Sequence, residues 1–247
     1  MSRMALTPDQ LARIDGALLL LQRVAVEYRP AVFASSLGAE DMVLTDMIAK
    51  HRFGIGIFTL DTGRLHAETL GLLPEIARRY GKEVRVMTSA ADAVNDYVAR
   101  HGQDAFYDSV ELRKRCCEIR KVEPLQRALA GKRAWITGMR RGQSASRSGI
   151  ALEETDEAHG LKKFNPLSEW SEADVWSYIR HFEVPCNPLH DQGYASIGCA
   201  PCTRPVAAGE DPRAGRWWWE AERGAGAREC GIHFSPEGKI IRIKAAA

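Results

Sequence analysis

The chain has no long hydrophobic run. Its longest strongly apolar stretch is Ala17–Leu21, far short of the roughly 20 residues that a membrane span requires. A role within the bilayer is therefore not expected. Met1–Pro8 also lacks an apolar signal core, so the expected location is cytoplasmic. Neither charge sign dominates: 34 basic residues face 32 acidic ones, for a formal net charge of +2. That balance offers no polybasic footprint for nucleic acid. Internal repeats and low-complexity tracts are missing, apart from the small-residue end Ala245–Ala247. Cysteine is scarce, at 6 residues in 247, but it is not scattered.

Five of the six cysteines form three groups: Cys116-Cys117, the C-x-x-C of Cys199 and Cys202, and Cys230 inside Glu229-Cys230-Gly231-Ile232-His233. In a reducing compartment, clustered cysteines point to metal binding or catalysis rather than disulfides. Two adjacent cysteines diverge, so they chelate one zinc ion poorly. An iron–sulfur cluster has several irons, each needing its own thiolate, and it accepts diverging neighbours. The four paired thiols therefore favour a cluster over zinc or a redox dithiol. Cys230 is surplus to four-fold ligation. Beside His233 and Arg228 it reads as a nucleophile, against the plainer reading of an inert thiol. Cys186, between Pro185 and Asn187, has no partner in sequence and reads as structural.

Local signals predict alternating helices and strands. Thr7-Pro8-Asp9-Gln10 has the form of a capped helix start, and the helix should end before Pro30. Short apolar runs at Ala31–Ala34, Ile55–Leu60, Glu83–Met87 and Ala134–Thr137 read as strands. Helices are expected over Ala39–His51, up to Tyr80, over Ala90–His101, over Ser109–Ala130 and from Ser171 to His181. Such alternation implies a parallel sheet with helices on both faces and right-handed crossovers. After residue 150 the rhythm fades. The expected organisation is an α/β domain over 1–208, followed by a mobile, irregular C-terminal tail over 209–247 that carries Cys230.

Ligands in such sheets bind beyond the carboxyl ends of the strands. Ser35–Asp41, Asp61–Arg64 and Gly138–Arg147 should therefore share one crevice. Ser35, Ser36 and Gly38 precede a helix N-terminus, a setting suited to an anion, but the P-loop lysine is absent. Arg140, Arg141 and Arg147 offer planar forks for phosphate or sulfate. Lys121, four residues after Cys117 on a predicted helix, should share its face and can bridge a cluster and a bound anion. Arg213 and Arg216 precede Trp217-Trp218-Trp219. Three consecutive indoles cannot all face one core, so an anchor for the tail is weighed against a docking surface.

Taken together, the serine turn, Leu60-Asp61-Thr62-Gly63-Arg64, Cys116-Cys117 with Lys121, the arginine loop, Asn165-Pro166-Leu167, Cys199-x-x-Cys202 and the Cys230 motif resemble the assimilatory adenylyl-sulfate reductases of the phosphoadenylyl-sulfate reductase family. The resemblance runs from about Phe33 to Phe234. It implies an adenine nucleotide α-hydrolase-like fold related to the PP-loop pyrophosphatases. It implies a 4Fe–4S cluster on Cys116, Cys117, Cys199 and Cys202, and Cys230 as the nucleophile. Substrate contacts are implied at Ser35, Ser36, Leu60, Gly63, Lys121, Arg140, Arg141, Arg147, Arg213, Arg216 and His233. The implied reaction converts adenosine 5′-phosphosulfate to sulfite and AMP through a Cys230 S-sulfonate that thioredoxin reduces. Homo-oligomers are common in that family. Rival readings are the 3′-phosphorylated nucleotide as substrate, an ATP-dependent adenylating enzyme, and a non-catalytic metal-stabilised adaptor.

Overall fold

The computed structural model describes residues 5–222. Cys230 and His233 lie outside the described residues.

Six strands form one sheet: β1 (Ala31–Ala34), β2 (Gly56–Asp61), β3 (Arg85–Thr88), β4 (Ala134–Ile136), β5 (Glu153–Asp156) and β6 (Leu161–Phe164). Their spatial order is β3-β2-β1-β4-β6-β5. All pairings are parallel except β5 with β6, which is antiparallel. Among the helices, α1 (Pro8–Glu27), α2 (Ala39–Lys50), α3 (Ala67–Tyr80) and α4 (Ala91–His101) come first. Then follow α5 (Val110–Cys117), α6 (Glu123–Leu129), α7 (Glu172–Phe182) and the short α8 (Trp218–Glu222). α1 starts as its sequence dictates: Thr7 accepts from Gln10 N, and the Gln10 side chain accepts from Thr7 N.

Strand alternation builds two cores. Phe33, Ile57, Ala134 and Ile136 face one side, against Leu21 and Val24 of α1, Met47 and Ile48 of α2, Ile76 of α3 and Val175 of α7. Val32, Phe58 and Trp135 face the other side, against Leu125, Ala128 and Leu129 of α6. The predicted strands are all present. The β5–β6 hairpin was not expected, because ion pairs rather than apolar runs define it. Glu154 stands opposite Lys163, 2.8 Å from its Nζ, and Lys162 lies 3.5 Å from Glu153. Charged residues directly opposite can stabilise an edge pair, but they leave no apolar periodicity to read.

The single helix expected over Ser109–Ala130 is interrupted. Between α5 and α6, Glu118–Val122 forms a π turn, with Glu123 N donating to Glu118 O. The helix thereby gains a residue directly after the cysteine pair, which changes what each side chain faces.

Packing continues across the expected 208/209 boundary. Trp217 and Trp219 are buried, whereas Trp218 is half exposed. Two of the three indoles therefore anchor the chain here.

Candidate active site

The three loops do meet. A cavity of about 690 Å³ opens beyond the strand ends, lined from below by Ser35, Leu60, Thr62 and Thr137. Ser36, Lys121, Arg140, Arg147, Arg213 and Arg216 also line it. Gly63 and Arg141 do not line it. Gly63 takes a left-handed φ of 68° and closes the turn by donating to Asp61 Oδ1. Arg141 turns outward to Ile150 O and Glu169.

The serine turn is held by Asp41, the last residue of the Ser35–Asp41 segment. Asp41 Oδ2 accepts from both Ser36 N and Ser36 Oγ at 2.6 Å. Gly138 passes so close that a Cβ there would collide with Asp41. Burial pushes the Asp41 carboxyl up to about 6, against the Ser36 hydrogen bonds, which favour the charged form. Its folded pKa therefore lies above its unfolded one. The native state holds the extra proton between about pH 4 and pH 6, and stability falls as pH rises through that window. The full effect, present above about pH 6, is about 3 kcal/mol. Asp41→Asn should thus gain on the wild type between about pH 4 and pH 7. Urea denaturation of both proteins at each pH measures the gain; a constant difference would refute it.

The arginine loop is less available than its sequence suggests. Arg140 Nε donates to Glu40 Oε1 at 2.8 Å, and its Nη2 lies 2.8 Å from the same oxygen in an ion pair. Gln143 Nε2 donates to the same oxygen at 3.0 Å, and Arg147 Nη1 donates to Gln143 Oε1 at 2.6 Å. Glu40 thus offsets the charge of Arg140 and fixes its direction. Arg216 differs. It is buried and reaches Ser196 Oγ and Ile197 O at 3.3 Å, while its Nε has no hydrogen-bond partner among the described residues.

The four paired cysteines are brought together beside this cavity. Cys199 and Cys202 are buried with Phe106, Trp217 and Trp219, and Cys116 packs against them. The C-x-x-C is tied to the end of β2: Ala200 N donates to Arg64 O at 2.8 Å, and Thr62 Oγ1 is hydrogen-bonded to Cys199 Sγ at 3.2 Å. Burial raises the Cys199 thiol, but Lys121, the Thr62 hydroxyl, Arg216 and Arg120 together bring it below its ordinary value. Burial, and then the neighbouring Cys199, push Cys202 up to about 12. Cys116 is also raised, by burial first, with Arg120 and Lys121 opposing.

From within the π turn Lys121 acts on Cys116, Cys199 and Cys202, so its reach extends beyond the expected Cys117 face. Cys186 stands apart, half buried against the first core. Among the described residues, no three His, Cys, Asp or Glu side chains converge as a single metal ion requires. The donor set suits a multi-iron group: four thiols, cationic neighbours and an apolar wall. The buried Trp217 indole N–H lies in that wall with no hydrogen-bond acceptor among the described residues.

Sequence reasoning placed Glu40, Asp41 and Thr62 in the crevice segments without assigning their contacts, and it missed Arg120. Arg120 Nη1 donates to Thr62 O at 2.6 Å and steadies the turn beneath Cys199. No spacing rule marks such a residue.

Comparison with known proteins gives concordant findings. Residues 30–205 match the phosphoadenosine phosphosulfate reductase domain. An adenosine 5′-phosphosulfate reductase from Burkholderia cepacia is 54% identical over 231 residues, covering 94% of this chain and 91% of that one. Among solved structures, the phosphoadenylyl-sulfate reductase of Candida auris in complex with phosphate is 25% identical, with a TM-score of 0.66 over 82% of this chain and 100% of that one. Yeast FAD synthetase in complex with FAD shares the fold, with a TM-score of 0.52 at 15% identity over 82% of this chain and 70% of that one.

Proposed function

Since the chain belongs to the phosphoadenosine phosphosulfate reductase domain family, we propose that it reduces adenosine 5′-phosphosulfate to sulfite and AMP in sulfate assimilation, with thioredoxin as reductant. One observation carries the reading furthest. Lys121 and Arg216 line the nucleotide-sized cavity and also act on the buried thiols. The same positive charge therefore serves an anionic ligand and a thiolate centre. The relative from Burkholderia cepacia supplies the choice of the nucleotide without a 3′-phosphate.

The Cys230 thiolate attacks the sulfur of the sulfuryl group. An S–S bond forms, the bond from sulfur to the phosphate oxygen breaks, and AMP leaves with that electron pair. The product is Cys230–S–SO₃⁻. A thioredoxin thiolate then attacks Cys230 Sγ and expels sulfite. The second thioredoxin thiol resolves the mixed disulfide, so two electrons from the dithiol reduce the sulfur. Thiolate and substrate are both anionic. Lys121, Arg216 and Arg213, together with Arg147, would lower that repulsion in the cavity. Glu40 leaves Arg140 a smaller share and gives it a fixed orientation.

Cys116, Cys117, Cys199 and Cys202 would hold a 4Fe–4S cluster. The chemistry it supplies there is electrostatic: a polarisable anionic centre whose charge the Arg120, Lys121 and Arg216 side chains offset. Cys230 lies eight residues beyond Glu222, which bounds its reach at about 28 Å of extended chain. α8 begins two residues after Arg216 in the cavity wall. That distance is compatible with attack inside the cavity. A cytoplasmic location accords with reduced thiols, and no helix among the described residues is long and apolar enough to cross a membrane.

The test is intact-protein mass spectrometry after anaerobic incubation with each nucleotide and no reductant. A sulfonate adduct on Cys230 with adenosine 5′-phosphosulfate is the expected result. An adduct only with the 3′-phosphorylated nucleotide would keep the chemistry and replace the substrate. No adduct with either would reject the reading.

A further inference from the structure

Between the thiol group and the cavity wall stands one indole. The Arg113 guanidinium carbon lies 4.7 Å from the centre of the Trp217 ring, and that of Arg216 lies at the same distance. Stacked guanidinium groups of this kind are held by the ring's electron density. Arg113, on α5, is 1% exposed and Glu220, on α8, is 2% exposed. They form a two-point ion pair, Nε to Oε1 at 2.6 Å and Nη2 to Oε2 at 3.0 Å. Arg113 also hydrogen-bonds Cys117.

Trp217 itself has a left-handed φ of 46°. A bulky side chain keeps such a backbone only where its surroundings over-determine it. Its amide donates to Cys202 O at 3.1 Å. On the far side, Arg216 lies so close over Gly198 that a Cβ there would collide with it. Arg216 is thus fitted between a bare backbone and the Trp217 ring, with little slack.

We propose that Arg113 and Glu220 are positioning residues: through Trp217 they set the place of Arg216 in the cavity wall and anchor the start of the segment leading to Cys230. None of the three needs to touch substrate. Arg113 and Glu220 share their charges with each other, and Trp217 transmits the position. The inference rests on the proposed activity only for the choice of nucleotide in its test.

Two variants test it in the cluster-loaded enzyme. Glu220→Gln keeps the shape and removes the charge; Trp217→Leu removes the plate and leaves the pair. Hydrogen exchange over residues 213–220 should rise at least about tenfold in Glu220→Gln, with iron and sulfide content unchanged. In Trp217→Leu, the KM for adenosine 5′-phosphosulfate should rise about tenfold with iron retained, because Arg216 loses its backing. Unchanged exchange in the first variant, or a KM within about twofold of wild type in the second, would overturn the proposal. Loss of iron from Glu220→Gln would also overturn it, since the pair would then serve the thiols rather than the wall. Should the wild type fail to turn over the nucleotide, the activity reading falls, and exchange alone decides the positioning role of Arg113 and Glu220.

Discussion

Cys230→Ser should lower turnover of adenosine 5′-phosphosulfate by on the order of 10⁴-fold or more, since the loss of a covalent nucleophile leaves only binding and electrostatic terms. Serine keeps the size of the side chain, but its hydroxyl is hardly ionised at neutral pH. No protein adduct should form. The four remaining clustered cysteines are untouched, so iron content and visible absorbance should match the wild type. Nucleotide binding should also persist, because Ser36, Lys121, Arg140 and Arg216 line the cavity without help from Cys230. Single-turnover assays with and without thioredoxin, alongside iron determination, check this. Residual sulfite release within about tenfold of wild type would remove Cys230 from the chemistry.

Asp46→Ala should be the most destabilising of the single substitutions considered. Asp46 is fully buried in α2. It accepts from Tyr80 Oη at 2.7 Å, from Tyr178 Oη at 2.8 Å and from Lys50 Nζ at 2.9 Å. One carboxylate thus joins α2 to α3 and α7. Burial, followed by Asp46 itself, raises both tyrosines above the ordinary phenol value, so both remain neutral donors. Removing the acceptor strands two phenols and leaves a cavity, at a cost of about 3–5 kcal/mol. That is a large share of the roughly 5–15 kcal/mol that holds a protein folded. A fall in melting temperature of about 10 °C or more is expected by calorimetry at neutral pH. Tyr80→Phe alone should cost about 1–2 kcal/mol, since the carboxylate keeps its other partners. Equal losses in the two variants would mean that Asp46 does not link the helices.

The centre of the parallel sheet was legible because Ala31–Ala34 and Ala134–Ile136 are buried on both faces and read as short apolar runs. The capping box at Thr7 was legible because its hydrogen bonds lie three residues apart. The meeting of the three loops followed from topology alone. Interactions between distant segments were not legible. Arg113 and Glu220 are 107 residues apart, and nothing local distinguishes them from surface charges. The β5–β6 hairpin hides behind Glu-Glu-Thr-Asp and Leu-Lys-Lys-Phe, whose pairing shows only once both strands are aligned. Arg140 looked like a free anion ligand until Glu40, 100 residues earlier, was found bonded to it.

The π turn at Glu118–Val122 bears on how the cysteine pair is addressed. Each residue of an α-helix advances the direction of its side chain by about 100°. If these same residues instead ran on as unbroken α-helix, the extra residue would no longer be absorbed and Val110–Cys117 would swing about the helix axis by roughly that angle relative to α6. All four thiols would survive in the chain, and Cys116 and Cys117 would point away from Cys199 and Cys202. The meeting of the two pairs is therefore a matter of helical phase. A chain with every cysteine present but no π turn between Cys117 and Glu123 would carry the right ligands at the wrong azimuth.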